Sequence, residues 1–410
     1  MILRPFHAFF FIAGVLAAGG CSLAARDDRS RTLYTQGRFA EAATVLDPKV
    51  GPDTKGKDRL LFLMNRGMML HAAGRYAESN ACLLPAADEA DKLDIIRISE
   101  QAGTILTNEK FSAYRGEDFE RVLIPTLAAI NYAMLGKNED ALVECRRIDI
   151  KLREYARKRG TDYRQNAFAV YLSGVLYEIM GGANDAYVDY KKVRELDKNF
   201  PQVKADLLRL AAGLNFTDEL DQWKKEFKAD PPAPAPGGEI LCLIELGLAP
   251  VKKPNEVVFI IPRFVSRPTR ARAAEILVKG ESKGRSWPLA DLDAMAKKSL
   301  DERVGKILAK RLAIIAAKEV AAHQIEDHAG KDWALLSRIV FYALEQPDLR
   351  SWQTLPRDLQ VARVSLPVGT YSVAVRLLGE NDAPLGVDKV FDNVQVPEKG
   401  IVLLHLRAVE

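Results

Sequence analysis

A chain of 410 residues with 48% hydrophobic and 28% charged residues has the composition of an ordinary globular protein, with room for two or three domains. Its formal net charge of +4 is small for that length and argues against a nucleic-acid partner recognised through bulk charge. The first apolar run, over residues 6–18, is shorter than the roughly 20 residues a membrane-spanning helix needs, and no later stretch is long enough either. That first run follows Arg4, is interrupted only by His7 and Gly14, and is followed by small residues, the pattern of a cleaved export signal over residues 1–20. An exported chain meets an oxidising compartment. The three cysteines beyond the signal junction, Cys82, Cys145 and Cys242, have neither zinc-ligand nor C-x-x-C spacing, and buried small hydrophobes are expected.

Ala18, Gly19, Gly20 and Cys21 resemble the lipobox of bacterial lipoproteins, in which the cysteine sulfur takes a diacylglycerol and its amine a further acyl chain. The resemblance makes Cys21 the lipidation site, and Ser22 after it implies sorting to the outer membrane with the body in the periplasm. Several acyl chains give more than the two signals that stable anchoring requires. Residues 21–30 would then be a tether.

Next comes a repeated signature: a glycine, a spacer or two, an aromatic or small residue, then Ala or Ser. It starts at Gly37 (Gly-Arg-Phe-Ala-Glu-Ala), Gly74 (Gly-Arg-Tyr-Ala-Glu-Ser), Gly136 (Gly-Lys-Asn-Glu-Asp-Ala) and Gly181 (Gly-Gly-Ala-Asn-Asp-Ala). The glycine ends one helix and the small residue lets the next pack closely against it, which predicts helical hairpins. Seven residues before the last three glycines stand Gly67, Ala129 and Gly174, and four before stand Leu70, Tyr132 and Tyr177. These positions resemble the small and bulky core positions of tetratricopeptide repeats. The glycine spacing always exceeds the 34-residue period, so the array over 31–228 is irregular. One insertion, around 110–120, carries Phe111, Tyr114, Arg115 and Phe119; it reads equally as a partner-binding loop and as a packing loop. Residues 202–227 predict one further amphipathic segment that caps the array.

Prolines at 229–238 mark a linker. Beyond it a mixed α/β region is predicted over 239–356, with strands at 239–248, 255–261 and 273–279. A long helix over 289–324, continuous or jointed near Gly305, and a second helix over 332–344 follow. Strands at 360–366, 369–377, 387–396 and 401–406 predict a small antiparallel β-sandwich-like domain over 357–410. The fold class expected is therefore α+β and multidomain. Residues 348–356, with Trp352 and Pro356, read as a buried hinge.

No catalytic, cofactor or metal site is expected. Gly280-Glu-Ser-Lys-Gly284 has the G-x-S-x-G spelling of a nucleophile elbow, which would make Ser282 a nucleophile with His323 or His328 as base. An elbow must feed directly into a helix, however, and residues 285–288 intervene. The spacing of His323, Glu326 and His328 is not that of a helical metal motif. His71 and His405 stand in apolar surroundings, where structural histidines are ordinary. Arg263, Arg267, Arg270, Arg272, Lys279, Lys283 and Arg285 face only Glu275 and Glu281 across their own interval, which makes them candidate contacts for an anionic partner.

The lipobox, the repeats, residues 114–120, Asn131-Tyr132, Glu144-Cys-Arg-Arg147, residues 244–250, Arg350-Ser-Trp352 and Leu355-Pro356 together resemble an uncharacterised proteobacterial family of TPR-containing outer-membrane lipoproteins. Members of that family are often encoded beside a lipoprotein activator of penicillin-binding proteins. The resemblance implies a lipid-anchored periplasmic scaffold in cell-envelope or peptidoglycan assembly, whose repeats bind a protein partner. The family has no defined catalytic residues to carry over, and no nucleic-acid partner and no cofactor are expected. The other readings are a periplasmic cell-wall hydrolase, or a module in the C-terminal half that binds peptidoglycan glycan.

Overall fold

The structure, a computed structural model, describes residues 27–47, 56–100, 112–159, 166–233, 237–343 and 346–410. Cys21 and Phe111 lie outside the described residues. Among those described, no helix is long and apolar enough to cross a membrane.

The N-terminal part is a stack of antiparallel helical hairpins of the tetratricopeptide type. α1 (27–35) pairs with α2 (Phe39–Val45), α3 (Arg59–Ala72) with α4 (Tyr76–Glu100), and α5 (Asp118–Met134) with α6 (Asn138–Arg159). α7 (Ala167–Ile179) pairs with α8 (Ala183–Leu196) and α9 (Pro201–Gly213) with α10 (Thr217–Phe227). The signature glycines do what their spacing predicts. Gly37, Gly74, Gly136 and Gly181 take φ of +71° to +80°, and the residue after each donates its amide back to a carbonyl of the preceding helix, as Arg75 does to Leu70. That αL closure satisfies carbonyls the helix end would leave bare. The segment expected as a single cap is a fifth hairpin: Asn215 adopts φ +56° in the glycine's place, and Phe216 donates to Ala211. Asn is the side chain that tolerates this region best, so the turn carries no glycine to mark it.

The C-terminal part holds two four-stranded sheets. The first has the order β10–β1–β7–β6, formed by β10 (Ile401–Ala408), β1 (Glu239–Leu246), β7 (Asp358–Ser365) and β6 (Trp287–Asp291). The second has the order β5–β4–β8–β9, from β5 (Glu281–Arg285), β4 (Ala273–Val278), β8 (Gly369–Leu378) and β9 (Pro384–Val396). β2 (Val251–Pro254) and β3 (Pro262–Val265) form a separate hairpin.

This topology corrects three expectations. Strands from 239–356 and from 357–410 interleave in both sheets, so no domain boundary falls at 356/357. β1 also lies parallel to β10, so the final sheet is not purely antiparallel. The strand expected at 255–261 is the turn between β2 and β3.

Three layers result: helices, first sheet, second sheet. β1 is buried along nearly its whole length, and apolar but for Glu239 and Glu245, because both of its faces are covered. Ile240, Cys242 and Ile244 meet the second sheet in one core, whereas Leu241 and Leu243 join a core shared with the helices. Strand alternation puts Glu245 on the helix side of β1, and likewise Arg363 on β7 and His405 and Arg407 on β10.

α11 (Leu292–Ala329) is one uninterrupted helix of 38 residues, about 57 Å long at 1.5 Å per residue. Asp291 caps its start by accepting the Ala294 amide. Leu292, Ala296 and Leu300 bury its base, and Gly330 at φ +92° ends it and turns the chain into α12 (Lys331–Ala343).

Candidate functional site

The row of first helices, α3, α5, α7 and α9, is the side on which a stack of hairpins most readily takes up an extended partner. Here the chain's own first sheet, with the 348–356 segment, covers it. Arg363, with a side chain only 1% exposed, reaches from β7 to Glu178 at 3.0 Å and Asp206 at 3.2 Å and bonds Glu239 at 2.5 Å. It also donates to the hydroxyls of Tyr171 and Tyr190. Burial alone would push Glu178 up, but Arg363 and Arg209 outweigh it and hold the carboxyl below its usual range. Burial leaves Asp206 net raised.

Toward the other end of the row, Thr354 bonds Asn65, Tyr34 donates to the Thr354 carbonyl, and Trp352 gives its amide to Glu120 at 2.7 Å. Glu117, the N-cap of α5, pairs with Lys252 and Arg303. Intramolecular contacts thus occupy the face of the repeats on which a partner protein was expected. A cleft of about 220 Å³ does remain on the array's flank, lined by Cys145, Ile148, Ala169, Ser173, Val188 and Asp189 among others.

Tyr114 and Phe119 belong to the packing, not to a binding loop. The Tyr114 hydroxyl donates to Glu120 at 2.5 Å, and the Arg350 guanidinium stands 5.3 Å from its ring centroid while bonding Asp58 and Asp348. Phe119 meets the Phe264 ring edge-on at 5.8 Å. Arg115 lies half-buried beside them. Trp352 is buried at the seam, as expected of a hinge anchor.

The basic stretch is not one cationic face. Arg263 pairs with Glu256, Arg272 with Glu380, Lys283 with Glu281, and Arg285 with Asp382; three of these carboxylates lie outside residues 263–285. Arg267 turns inward to the carbonyls of Ala249 and Gln353, and burial, then Arg407, pulls it down to about 10. Arg270 and Lys279 are exposed. Ser282 sits within β5, paired across to Leu277, so the strand–turn–helix that a nucleophile elbow requires is not there. His323 and His328 lie near the end of α11, 3.8 Å from Glu326 and 2.8 Å from the Gln324 carbonyl respectively. The three cysteines are free and buried.

Two features stand out that the sequence reading did not assemble. The first lies at the seam between helices and sheet. His71 of α3, Glu245 of β1 and His405 of β10 converge there, fully buried. His71 Nε2 is 2.9 Å from Glu245 Oε1, His405 Nε2 is 3.7 Å from Glu245 Oε2, and the two imidazole centroids are 4.5 Å apart. Burial would raise the Glu245 carboxyl, but His71 and His405 outweigh it and keep it ionised, well below its ordinary range. Burial, then His71, pushes His405 down to about 4, which leaves it neutral at neutral pH. Tyr76, at the start of α4, stands 3.1 Å from His405 Nδ1; burial and Glu245 drive its hydroxyl far up, so it stays protonated. A cavity of about 470 Å³, lined by Gly37, Phe39, Gly74, Tyr76, Lys389 and Arg407 among others, opens beside His405.

The second feature is the α11–α12 hairpin. On α12, Ala334 is buried, and Arg338 reaches to Glu319 and Glu326 of α11. The opposite side carries Trp333, Leu335, Leu336 and Ile339, which with Leu312 and Val320 of α11 are 50–62% exposed. Arg338 thus turns toward the neighbouring helix, whereas these large apolar side chains stand in solvent, where a surface helix ordinarily shows polar residues.

No family model matches this chain, and no curated protein matches it. Similar solved structures include MamA of AMB-1, at 14% identity over 51% of this chain and 91% of that one, TM-score 0.33. They also include MamA of MSR-1, at 14% over 50% and 98%, TM-score 0.31. A Podosopora anserina putative kinesin light chain with nearly identical TPR-like repeats matches at 13% over 50% and 93%, TM-score 0.33.

Proposed function

We propose that the protein is a non-enzymatic interaction scaffold, lipid-anchored through Cys21 to the periplasmic face of the outer membrane, that docks a protein partner on the apolar face of its α11–α12 hairpin. The observation that carries the reading is that face. Contiguous exposed apolar surface is costly to leave in water and marks interaction sites on folded proteins, and Trp333 is the residue type that most often anchors them. With Cys21 as the anchor, a chain from it to residue 27, the first described residue of α1, reaches at most about 20 Å, and residues 27–30, expected in the tether, belong to that helix. The first hairpin would therefore stand close to the bilayer, and the partner is an envelope protein, in keeping with a role in cell-envelope or peptidoglycan assembly.

Photo-crosslinking in cells tests this. A photoreactive residue in place of Trp333 or Leu336 should trap one protein partner, whereas one in place of the exposed Ser282 on β5 should not. Equal trapping from both positions would contradict the reading. Replacing Cys21 with Ala should release the protein from the membrane fraction without unfolding it, and an unchanged membrane fraction would remove the anchor from the account.

A further inference from the structure

We infer that His71, Glu245 and His405 form a binding site for one divalent transition-metal ion of the zinc class. The ligand set is two imidazoles and a carboxylate, and their ligating atoms lie within 4.8 Å of one another. Two nitrogen or oxygen ligands on a tetrahedral zinc stand about 3.3 Å apart at bond lengths of about 2.0–2.1 Å. The separations of 2.9 and 3.7 Å along the cluster bracket that value.

Hydrogen bonding around the cluster assigns His71 its tautomer. The chain of hydrogen bonds ends at a backbone carbonyl, which can only accept. Ser79 Oγ donates to the Gly67 carbonyl at 2.7 Å, so it accepts from Asn131 Nδ2 at 2.9 Å. Asn131 Oδ1 therefore points at His71 Nδ1, 2.6 Å away, and accepts its proton. That leaves Nε2 facing the Glu245 carboxylate, and a second proton or a cation must stand between them. A metal-bound histidine ordinarily gives its other N–H to just such an oxygen. Tyr76 plays the corresponding part at His405 Nδ1.

A second observation points to an occupant. Glu245 Oε2 and His405 Nε2 face each other in the buried interior at 3.7 Å, too far for a good hydrogen bond, and neither has a nearer polar partner. Unsatisfied buried polar atoms are rare in folded proteins, and two aimed at one point call for something between them. The neighbouring cavity reaches the cluster at His405, the side from which an ion and a fourth ligand would come. Arg407, whose Nε stands 3.9 Å from Glu245 Oε2, favours hydroxide or a carboxylate in that fourth position over a neutral group.

The experiment uses the purified full-length protein, stripped with a chelator and titrated with Zn²⁺ against a chromophoric competitor. One Zn²⁺ per chain should bind, and Co²⁺ in its place should give the visible absorption of a four-coordinate nitrogen–oxygen site. Glu245→Gln and His405→Gln should each weaken Zn²⁺ by more than about 100-fold, and Tyr76→Phe, which removes only an orienting hydroxyl, by about 10-fold. His323→Ala, at the exposed pair with Glu326, should leave affinity unchanged. Absence of stoichiometric Zn²⁺ from the wild-type protein overturns the inference. So does an affinity that Tyr76→Phe leaves intact and His323→Ala abolishes. Should the two ligand variants fail to fold, the wild-type stoichiometry and Tyr76→Phe still decide.

Discussion

At the level of single residues, the seam between helices and sheet is held by buried ionisable groups, and these set measurable behaviour. Glu120 accepts hydrogen bonds from Tyr114, from the Glu117 amide and from the Trp352 amide. Burial raises its carboxyl to about 7, against the partial offset of Lys252 and these donors. A carboxyl raised on folding stabilises the protein in its protonated form. Its contribution is complete below its ordinary value, near 4.5, and is lost as pH rises through about 7. Glu120→Gln forfeits an acceptor at every pH but does not titrate. The stability gap between wild type and variant should therefore be widest near pH 4.5 and close toward pH 7 by at most about 1.4 kcal/mol per pH unit. Urea denaturation across that range measures it, and a gap independent of pH would contradict the assignment. Taking the difference matters because Asp358, raised to about 6 by burial, adds a slope of the same sign to both curves.

At the level of elements, glycines perform two different jobs, and substitution separates them. Gly74 sits at φ +74° with open space where a Cβ would go, so Gly74→Ala should cost only the backbone term, about 1–2 kcal/mol. Gly174 lies inside α7, where a Cβ would stand 2.6 Å from the buried Tyr190 ring, and that ring's hydroxyl belongs to the Arg363 network. Gly174→Ala should therefore cost more, through overpacking and a disturbed hydrogen-bond network, and should also loosen β7. Chemical denaturation ranks the two; the reverse order would mean that the ring moves aside freely.

What the sequence made legible follows the same division. Hairpins with glycine turns could be read from spacing; the fifth could not, because Asn215 supplies the αL residue. β5 and β6 were hidden in a stretch that reads as turn, since β5 is exposed and polar and gains its order from pairing with β4. The long helix was legible from its period, but the exposure of one face of α12 was not, because periodicity marks an apolar face without saying what covers it. The metal-ligand cluster left only a faint trace, one ionisable residue inside each of three apolar runs: His71 after Met-Met-Leu, Glu245 within Leu-Ile-Glu-Leu, His405 within Leu-Leu-His-Leu. Ligands contributed by α3, β1 and β10 have no characteristic spacing, so only the fold brings them together.

At the level of the whole molecule, helices and sheets form one body in which the chain serves as the partner of its own repeats. Arg363 is the clearest test of that. It joins β7 to α7 and α9 through a guanidinium with almost no exposure, and removing one side of such a network typically costs about 3–5 kcal/mol. Among the described residues, the apolar face of the α11–α12 hairpin and the flank of the array stay uncovered by the chain itself.

Hydrogen exchange on the full-length protein carrying Arg363→Met tests this most directly. If the sheet fills the face of the helical array, exchange should accelerate together in α7, α9, β1 and β7, because they open as one cooperative unit. Acceleration confined to β7 and its neighbouring strands, with α7 and α9 unchanged from wild type, would mean that the two halves fold separately and that the repeat face is available to another protein.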